Sequence, residues 1–230
     1  MTQLTLAVAL RDGASFTNYI AGPNLEALQA VRDFGDRGEK FIYLWGASGT
    51  GKTHLLHAAC QRITAEGATP AYLPLAQAQE MSPELLEGME HLALVCVDDI
   101  HAIAGQAVWE AALFNLYNRL RETNTRLIVT ANAPPAELGL SLPDLRSRLA
   151  SGLVLQLQGL DDERKLAALQ LRAQGRGIDL PEEVGRFLLR RYPRDMAELF
   201  KLLQRLDDAS LTTQRKLTIP FVRELIAEIN

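Results

Sequence analysis

Cysteine is scarce in this chain, with only Cys60 and Cys96 among 230 residues. Both stand inside apolar segments and neither belongs to a CxxC pair, which excludes a disulfide framework and reads as reduced packing residues. Long hydrophobic runs are missing as well. No segment approaches the roughly 20 apolar residues of a membrane span, and no basic-then-apolar leader opens the chain, so a cytoplasmic protein is expected. There is no dense basic stripe, and the net charge is −4. Duplex DNA binding depends mainly on neutralising phosphates, so this composition argues against a strong autonomous DNA binder. Histidines are few, at 54, 57, 91 and 101. His54 and His57 share a helical face, but no third ligand of suitable type follows, so no zinc site is expected. What remains, 47% hydrophobic and 23% charged residues, is the make-up of a globular protein with room for one α/β domain and a small accessory one.

The pattern along the chain divides in two. Residues 1–12 read as a tail. Asn24 is placed to cap a helix running to about Arg32, with Leu25, Leu28 and Val31 on one face. Phe41–Trp45 is a continuous apolar run ending in a glycine-rich turn, as a buried parallel strand does. A helix with Leu55, Leu56, Ala59 and Ile63 at helical spacing follows. Ala71–Leu75 reads as a weak strand, Leu92–Val97 as a strong one, Ala107–Arg121 as a helix and Arg126–Ala131 as another buried strand. Pro143–Ala150 is a short helix and Leu153–Leu157 a last strand. Five strands alternating with helices predict a parallel sheet with helices on both faces, over residues 13–159. From 160 to 230 the texture is helical only: Asp161–Gln174, Pro181–Arg191, Arg194–Asp208 and Pro220–Ile229.

Chemistry concentrates at three strand ends. Gly46-Ala47-Ser48-Gly49-Thr50-Gly51-Lys52-Thr53 matches G-x-x-x-x-G-K-[ST], a loop whose backbone N–H groups turn inward around phosphate oxygens. In such a loop Lys52 reaches the β- and γ-phosphates and the Thr53 hydroxyl can ligand Mg²⁺. Asp98 and Asp99 stand at the carboxyl end of a buried strand, where ligands collect in open α/β sheets. Two adjacent carboxylates there are costly without a cation or water to receive them, which points to Asp98 on Mg²⁺ and Asp99 facing the attacking water. Asn132 ends the next strand, where its amide can orient water near a γ-phosphate.

These residues, in this order, resemble the AAA+ family, and within it the DnaA type of replication initiator. The likeness runs from Phe16 onward. It includes Phe16-Thr17-Asn18-Tyr19-Ile20-Ala21-Gly22-Pro23-Asn24, Lys52-Thr53-His54-Leu55-Leu56, Val97-Asp98-Asp99-Ile100, Leu145-Arg146-Ser147-Arg148-Leu149 and Arg194-Asp195-Met196-Ala197-Glu198-Leu199. The resemblance implies an AAA+ core with a helical lid and ADP or ATP, with Mg²⁺, held by residues 46–53 together with His54. It implies Tyr19 and Ile20 on the adenine, Asn132 as the first sensor and Arg194 reaching the phosphates from the lid. It further implies Arg148 as an arginine finger acting on a neighbouring subunit's nucleotide. Asp99 is one methylene shorter than the Glu of many AAA+ ATPases, so slow intrinsic hydrolysis is expected.

Two departures from DnaA shape the functional expectation. Neither a DNA-reading helix-turn-helix domain after the lid nor an oligomerisation domain before the core is expected from these residues. It opens instead with Gln3-Leu4-Thr5-Leu6, which is similar to the peptide that docks on the DNA polymerase III sliding clamp through positions equivalent to Gln3, Leu4 and Leu6. The resemblance then implies a negative regulator of replication initiation, with DnaA and the clamp β subunit as partners and self-association possible. Docked on the clamp, it would promote hydrolysis of DnaA-bound ATP without reading a DNA sequence itself. A self-assembling ATPase such as a DnaC-like helicase loader, or a passive clamp adaptor, stays open as an alternative.

Overall fold

A computed structural model of the chain describes residues 13–34, 39–192, 195–213 and 215–229. Its described residues fall into two compact units. Those up to 47 and from 51 to 158 form one, and those at 48–50 and from 159 onward form the other.

The first unit is built on five parallel strands: β1 Phe41–Trp45, β2 Pro70–Pro74, β3 Leu94–Asp98, β4 Arg126–Ala131 and β5 Leu153–Gln156. They lie in the order β2-β3-β4-β1-β5. Successive side chains of a strand point to opposite faces, and here both faces are apolar. Tyr43, Val95, Val97, Leu127 and Val129 pack on one side with residues of helices α3 (Ala107–Thr123) and α4 (Pro143–Ala150). Ile42, Leu44, Leu94, Cys96 and Ile128 pack on the other with α1 (Leu25–Arg32) and α2 (Lys52–Ala65). A strand covered on both faces has no use for polar alternation, which is why β1 and β4 read as unbroken apolar runs. Prolines 70 and 74 bound β2, which is an edge strand, where a missing ladder donor is tolerated.

The structure moves some expected boundaries and corrects two assignments. The apolar run at 92–97 is longer than its strand. Ala93 spends its N–H on Thr69 O (2.9 Å), and β3 starts only at Leu94. Asn24 precedes α1 but does not cap it with its side chain. Its amide nitrogen donates to Gln158 O (2.9 Å) and its oxygen accepts from Gln158 N–H (2.8 Å), tying the start of α1 to the segment leaving β5. Ala27 and Val31 face the core while Leu25 is 52% exposed.

The second unit contains four helices: α5 Asp162–Gln174, α6 Glu182–Arg191, α7 Met196–Thr213 and α8 Ile219–Ile229. Asp161 caps α5 by accepting from Arg164 N–H (2.8 Å). Asp195 caps α7 by accepting from the N–H of Ala197 (2.8 Å) and of Glu198 (3.3 Å). Acidic Glu182 and Glu183 open α6 and basic Arg190 and Arg191 close it, matching the helix dipole. A separate core of Leu169, Val184, Leu188, Leu203, Leu206 and Val222 holds these helices. Gly185 sits where a Cβ would lie 2.3 Å from Leu166 Cδ1, so a larger residue there would push the Leu166 side chain aside.

One buried acid organises the far side of the sheet. Glu110 on α3 is wholly buried, and no cation pairs with it among the described residues. Its carboxylate accepts backbone N–H groups from Gly105 (2.7 Å), Ser141 (3.1 Å) and Leu142 (2.7 Å). Leu142 is the residue from which α4 starts, so Glu110 fixes where that helix begins. Glu110→Ala should lower stability by about 3 kcal/mol, because hydrogen bonds to a charged acceptor are strong and the stranded N–H groups are costly. That corresponds to a melting point roughly 6–12 °C lower for a chain of this size. Glu110→Gln should also destabilise, since one oxygen of the native carboxylate becomes an NH₂ facing another donor. Unchanged thermal unfolding in both variants would show that the three bonds contribute nothing.

Candidate functional site

The strand order places β4 between β1 and β3, so the carboxyl ends of three neighbouring strands deliver the P-loop, Asn132 and the acidic pair to one rim of the sheet. Register sets their levels. Trp45 pairs with Ala131, putting Gly46 and Asn132 side by side one residue further on, and Val97 pairs with Val129 just before Asp98. Gly46 N–H donates to Ala131 O (3.2 Å), which closes the start of the loop onto β4.

Within the loop, Gly49 and Gly51 have φ of 74° and 95°, conformations that side-chain-bearing residues rarely adopt. A Cβ on Gly51 would also lie 2.8 Å from Tyr19 Cε2. Lys52, the first residue of α2, is drawn back over the loop and donates to Gly46 O (2.8 Å) and Ala47 O (2.9 Å). Thr53 Oγ1 donates to Asp98 Oδ2 (2.8 Å).

Asp98 is nearly buried and gathers hydroxyls. Besides Thr53, the Tyr72 hydroxyl donates to Oδ2 (2.7 Å) and Thr130 Oγ1 donates to Oδ1. Thr130 Oγ1 in turn accepts the Asp99 N–H (3.0 Å). Tyr72 and Thr130 belong to the site although neither stands out in the sequence. Asp99 takes a left-handed conformation, φ 57° and ψ 48°, which turns its side chain off the strand direction. Burial, and then the Asp98 carboxylate beside it, pushes the Asp99 carboxyl above its ordinary range, while His101 and Lys52 draw it back. His101 Nδ1 lies 3.9 Å from Asp99 Oδ1. Asn132 is exposed on the rim.

The opening segment packs on α2. Tyr19 meets the His54 ring edge-on at 5.3 Å, and His54 Nε2 bonds Ser15 O (2.9 Å). The Tyr19 hydroxyl is buried without a hydrogen-bond partner. Asn24 is near it but has both amide groups committed to Gln158. Burial, offset in part by Asn24, pushes the Tyr19 phenol up to about 12, so it stays protonated at neutral pH. Ile20 is half-buried in the same segment.

Arg148 is not on this rim. It belongs to the last turn of α4 and lines an open groove with Lys40 and Phe41, which lead into the amino end of β1. The P-loop leaves the opposite end of the same strand. At about 3.3 Å per residue, the two ends of β1 stand roughly 13 Å apart. Arg194, and Gln3, Leu4 and Leu6 of the tail, lie outside the described residues.

The sequence model for the bacterial DnaA ATPase domain matches residues 10–156, more than half of the chain. The chain belongs to the bacterial DnaA ATPase-domain family. A second family model, "Hda, lid domain", matches residues 162–226. Among solved structures, domain III of the Thermotoga maritima replication initiation protein DnaA is similar with a TM-score of 0.79 and 20% identity, covering 94% of this chain and 96% of that one. AMPPCP-bound DnaA from Aquifex aeolicus gives 0.65 at 25% identity, over 83% of this chain and 65% of that one. A Thermotoga maritima RuvB variant gives 0.68 at 18% identity, over 96% and 73%. The DnaA domain III and RuvB likenesses establish the AAA+ fold alone.

The rim of this DnaA-family core fits a nucleoside polyphosphate with Mg²⁺. The glycine conformations leave the loop backbone free of side chains, Lys52 supplies a cation at its mouth, and the orphaned Tyr19 hydroxyl leaves a polar contact unmade beside α2. Thr53 and Asp98 offer a hydroxyl and a carboxylate, hard oxygen donors of the kind Mg²⁺ takes alongside phosphates. Lys52→Ala removes the loop's own cation while the glycine backbone remains. Adenine-nucleotide affinity should fall at least tenfold, or about 1.4 kcal/mol. Calorimetry showing unaltered ADP binding would rule out the P-loop as the site.

Proposed function

We propose that this chain is a nucleotide-bound regulator of replication initiation that promotes hydrolysis of the ATP carried by DnaA. Arg148 carries the proposal: its guanidinium has no ion pair among the described residues and faces an open groove at the end of β1 remote from its own P-loop. From there it is suited to a nucleotide held by another subunit. The match of the core to the DnaA ATPase domain, and of the lid to the Hda lid, supports DnaA as that partner.

In this proposal ADP or ATP, with Mg²⁺ on Thr53 and Asp98, is held at residues 46–54, with Tyr19 and Ile20 toward the adenine and Arg194 toward the phosphates. Asn132 and Asp99 flank the γ-phosphate position, and Asp99, one methylene shorter than a Glu, stands farther from the attacking water, so intrinsic turnover is slow. Bound nucleotide is then chiefly structural. Gln3, Leu4 and Leu6 tether the chain to the DNA-loaded sliding clamp, which raises its effective concentration beside DnaA. Arg148 contributes positive charge to oxygens of the phosphoryl group during transfer to water, where charge is spread and a fixed cation is effective.

Fingers supplied in trans are worth roughly 10³–10⁵ in rate in well-studied phosphoryl-transfer systems. Arg148→Ala should therefore nearly abolish stimulation of DnaA-bound ATP hydrolysis while binding nucleotide and clamp normally. Arg146→Ala, one of the exposed positions of the same helix, should be mild. Loss of nucleotide binding in Arg148→Ala would instead put Arg148 in its own site, and full stimulation would favour the adaptor. For the tether, replacing Gln3 and Leu6 by Ala should abolish co-elution with the clamp and leave nucleotide affinity intact, because such peptides bind through a few anchors. Wild-type co-elution by the double variant would remove the tail from the mechanism.

A further inference from the structure

The groove that Arg148 lines is larger than one guanidinium needs. It measures about 690 Å³ and is walled by Glu39, Lys40, Phe41, Tyr117, Arg121 and Arg148, with Ser151 and Gly152 at its end. Three elements supply the walls: the segment entering β1, the face of α3 and the end of α4. Its floor is set by packing. The Phe41 and Tyr117 rings lie 4.7 Å apart, and the Tyr117 hydroxyl bonds Ser151 Oγ (3.1 Å). Gly152 passes so close to β1 that a Cβ there would meet Phe41 O at 2.3 Å. Arg121 follows Tyr117 by four residues on α3, so the two share one helix face.

The charge in this groove is one-sided and uncommitted. Lys40, Arg121 and Arg148 meet a single carboxylate, Glu39, and none of the four makes an ion pair among the described residues. Three unpaired cations converging on a chain of net charge −4 are not a general feature of its surface. The size is that of a small-ligand site, and the missing basic stripe argues against a nucleic-acid track.

We infer that this groove is a trans triphosphate site, in which Lys40 and Arg121 bind the polyphosphate of the nucleotide on the partner core and deliver it to Arg148. The inference rests on the finger role proposed for Arg148 and adds the two residues that capture the ligand. A single arginine leaves most of a triphosphate's charge unanswered. Flanking cations at a groove mouth raise the rate and strength of encounter, in a manner that salt weakens.

The test titrates wild type, Lys40→Ala, Arg121→Ala and Arg121→Lys into DnaA–ATP with clamp-loaded DNA. Each chain's affinity for DnaA–ATP and DnaA–ADP is measured in parallel, and Arg32→Ala on α1 serves as the charge control. Lys40→Ala and Arg121→Ala should each raise the half-maximal concentration for stimulation about tenfold at low salt, with the plateau rate little changed and the penalty shrinking as salt rises. Arg121→Lys should restore most of the loss, and Arg32→Ala should match wild type. The binding penalty should be present with DnaA–ATP and small with DnaA–ADP. An equal penalty for both forms would mean that the groove meets carboxylates of the partner rather than its triphosphate, and would overturn the inference. So would an unchanged half-maximal concentration in Lys40→Ala and Arg121→Ala. Should Arg148→Ala lose stimulation while these two stay silent, only the capture role fails; should Arg148→Ala retain it, the finger role fails first.

Discussion

Burial of the central sheet on both faces is the constraint from which the rest follows. Leu44, Val95, Cys96 and Ile128 are completely inaccessible, and a strand packed this way offers no lateral surface for chemistry. Polar function is therefore confined to the two ends of the strands. The carboxyl ends carry the P-loop, Asp98, Asp99 and Asn132, and the amino end of β1 carries the groove with Arg148. A group bound at one end is therefore out of reach of a side chain at the other.

Two carboxylates that enter the interior are each held by three donors. Asp98 receives three hydroxyl donors, from Thr53, Tyr72 and Thr130. Glu110 receives three backbone N–H groups. Among the described residues neither makes an ion pair with a lysine or arginine, which would have required desolvating a second side-chain charge. The effect is to fix direction as much as to add stability. Asp98 keeps its carboxylate beside the Thr53 hydroxyl, and Glu110 holds the start of α4, the helix that ends near Arg148. Lys52, leaning on the carbonyls of its own loop, is likewise oriented by neighbours that the fold already requires.

Much of this was legible in the residues themselves. The bounds of β1 and β4 follow from apolar runs flanked by turn formers, and α4 follows from proline at its first position and helical spacing after it. The P-loop and acidic pair are local motifs, so their place at strand ends could be read directly. Interactions across the fold were not legible. Tyr72 reaches Asp98 from 26 residues away and Thr130 from 32, and no periodicity links such positions. Asn24 looked like a cap because capping is the local use of asparagine, yet its partner is Gln158, 134 residues on. Lys40 and Arg121 look like ordinary surface cations until the sheet brings α3, α4 and β1 together. The strand expected at 92–97 was overextended for a related reason: apolarity marks burial, and Leu92 is packed without being paired.

The separation of the two ends also bears on symmetry. A contact joining the amino end of one core to the carboxyl end of another is heterologous, because the joined surfaces differ. Such a contact gives the pair a direction and leaves one unmatched end on each member. A twofold dimer, which buries the same patch twice, would have to use other surfaces. Wherever this core meets a related one through its strand ends, the order of the two is therefore fixed, and exchanging their places yields a different complex.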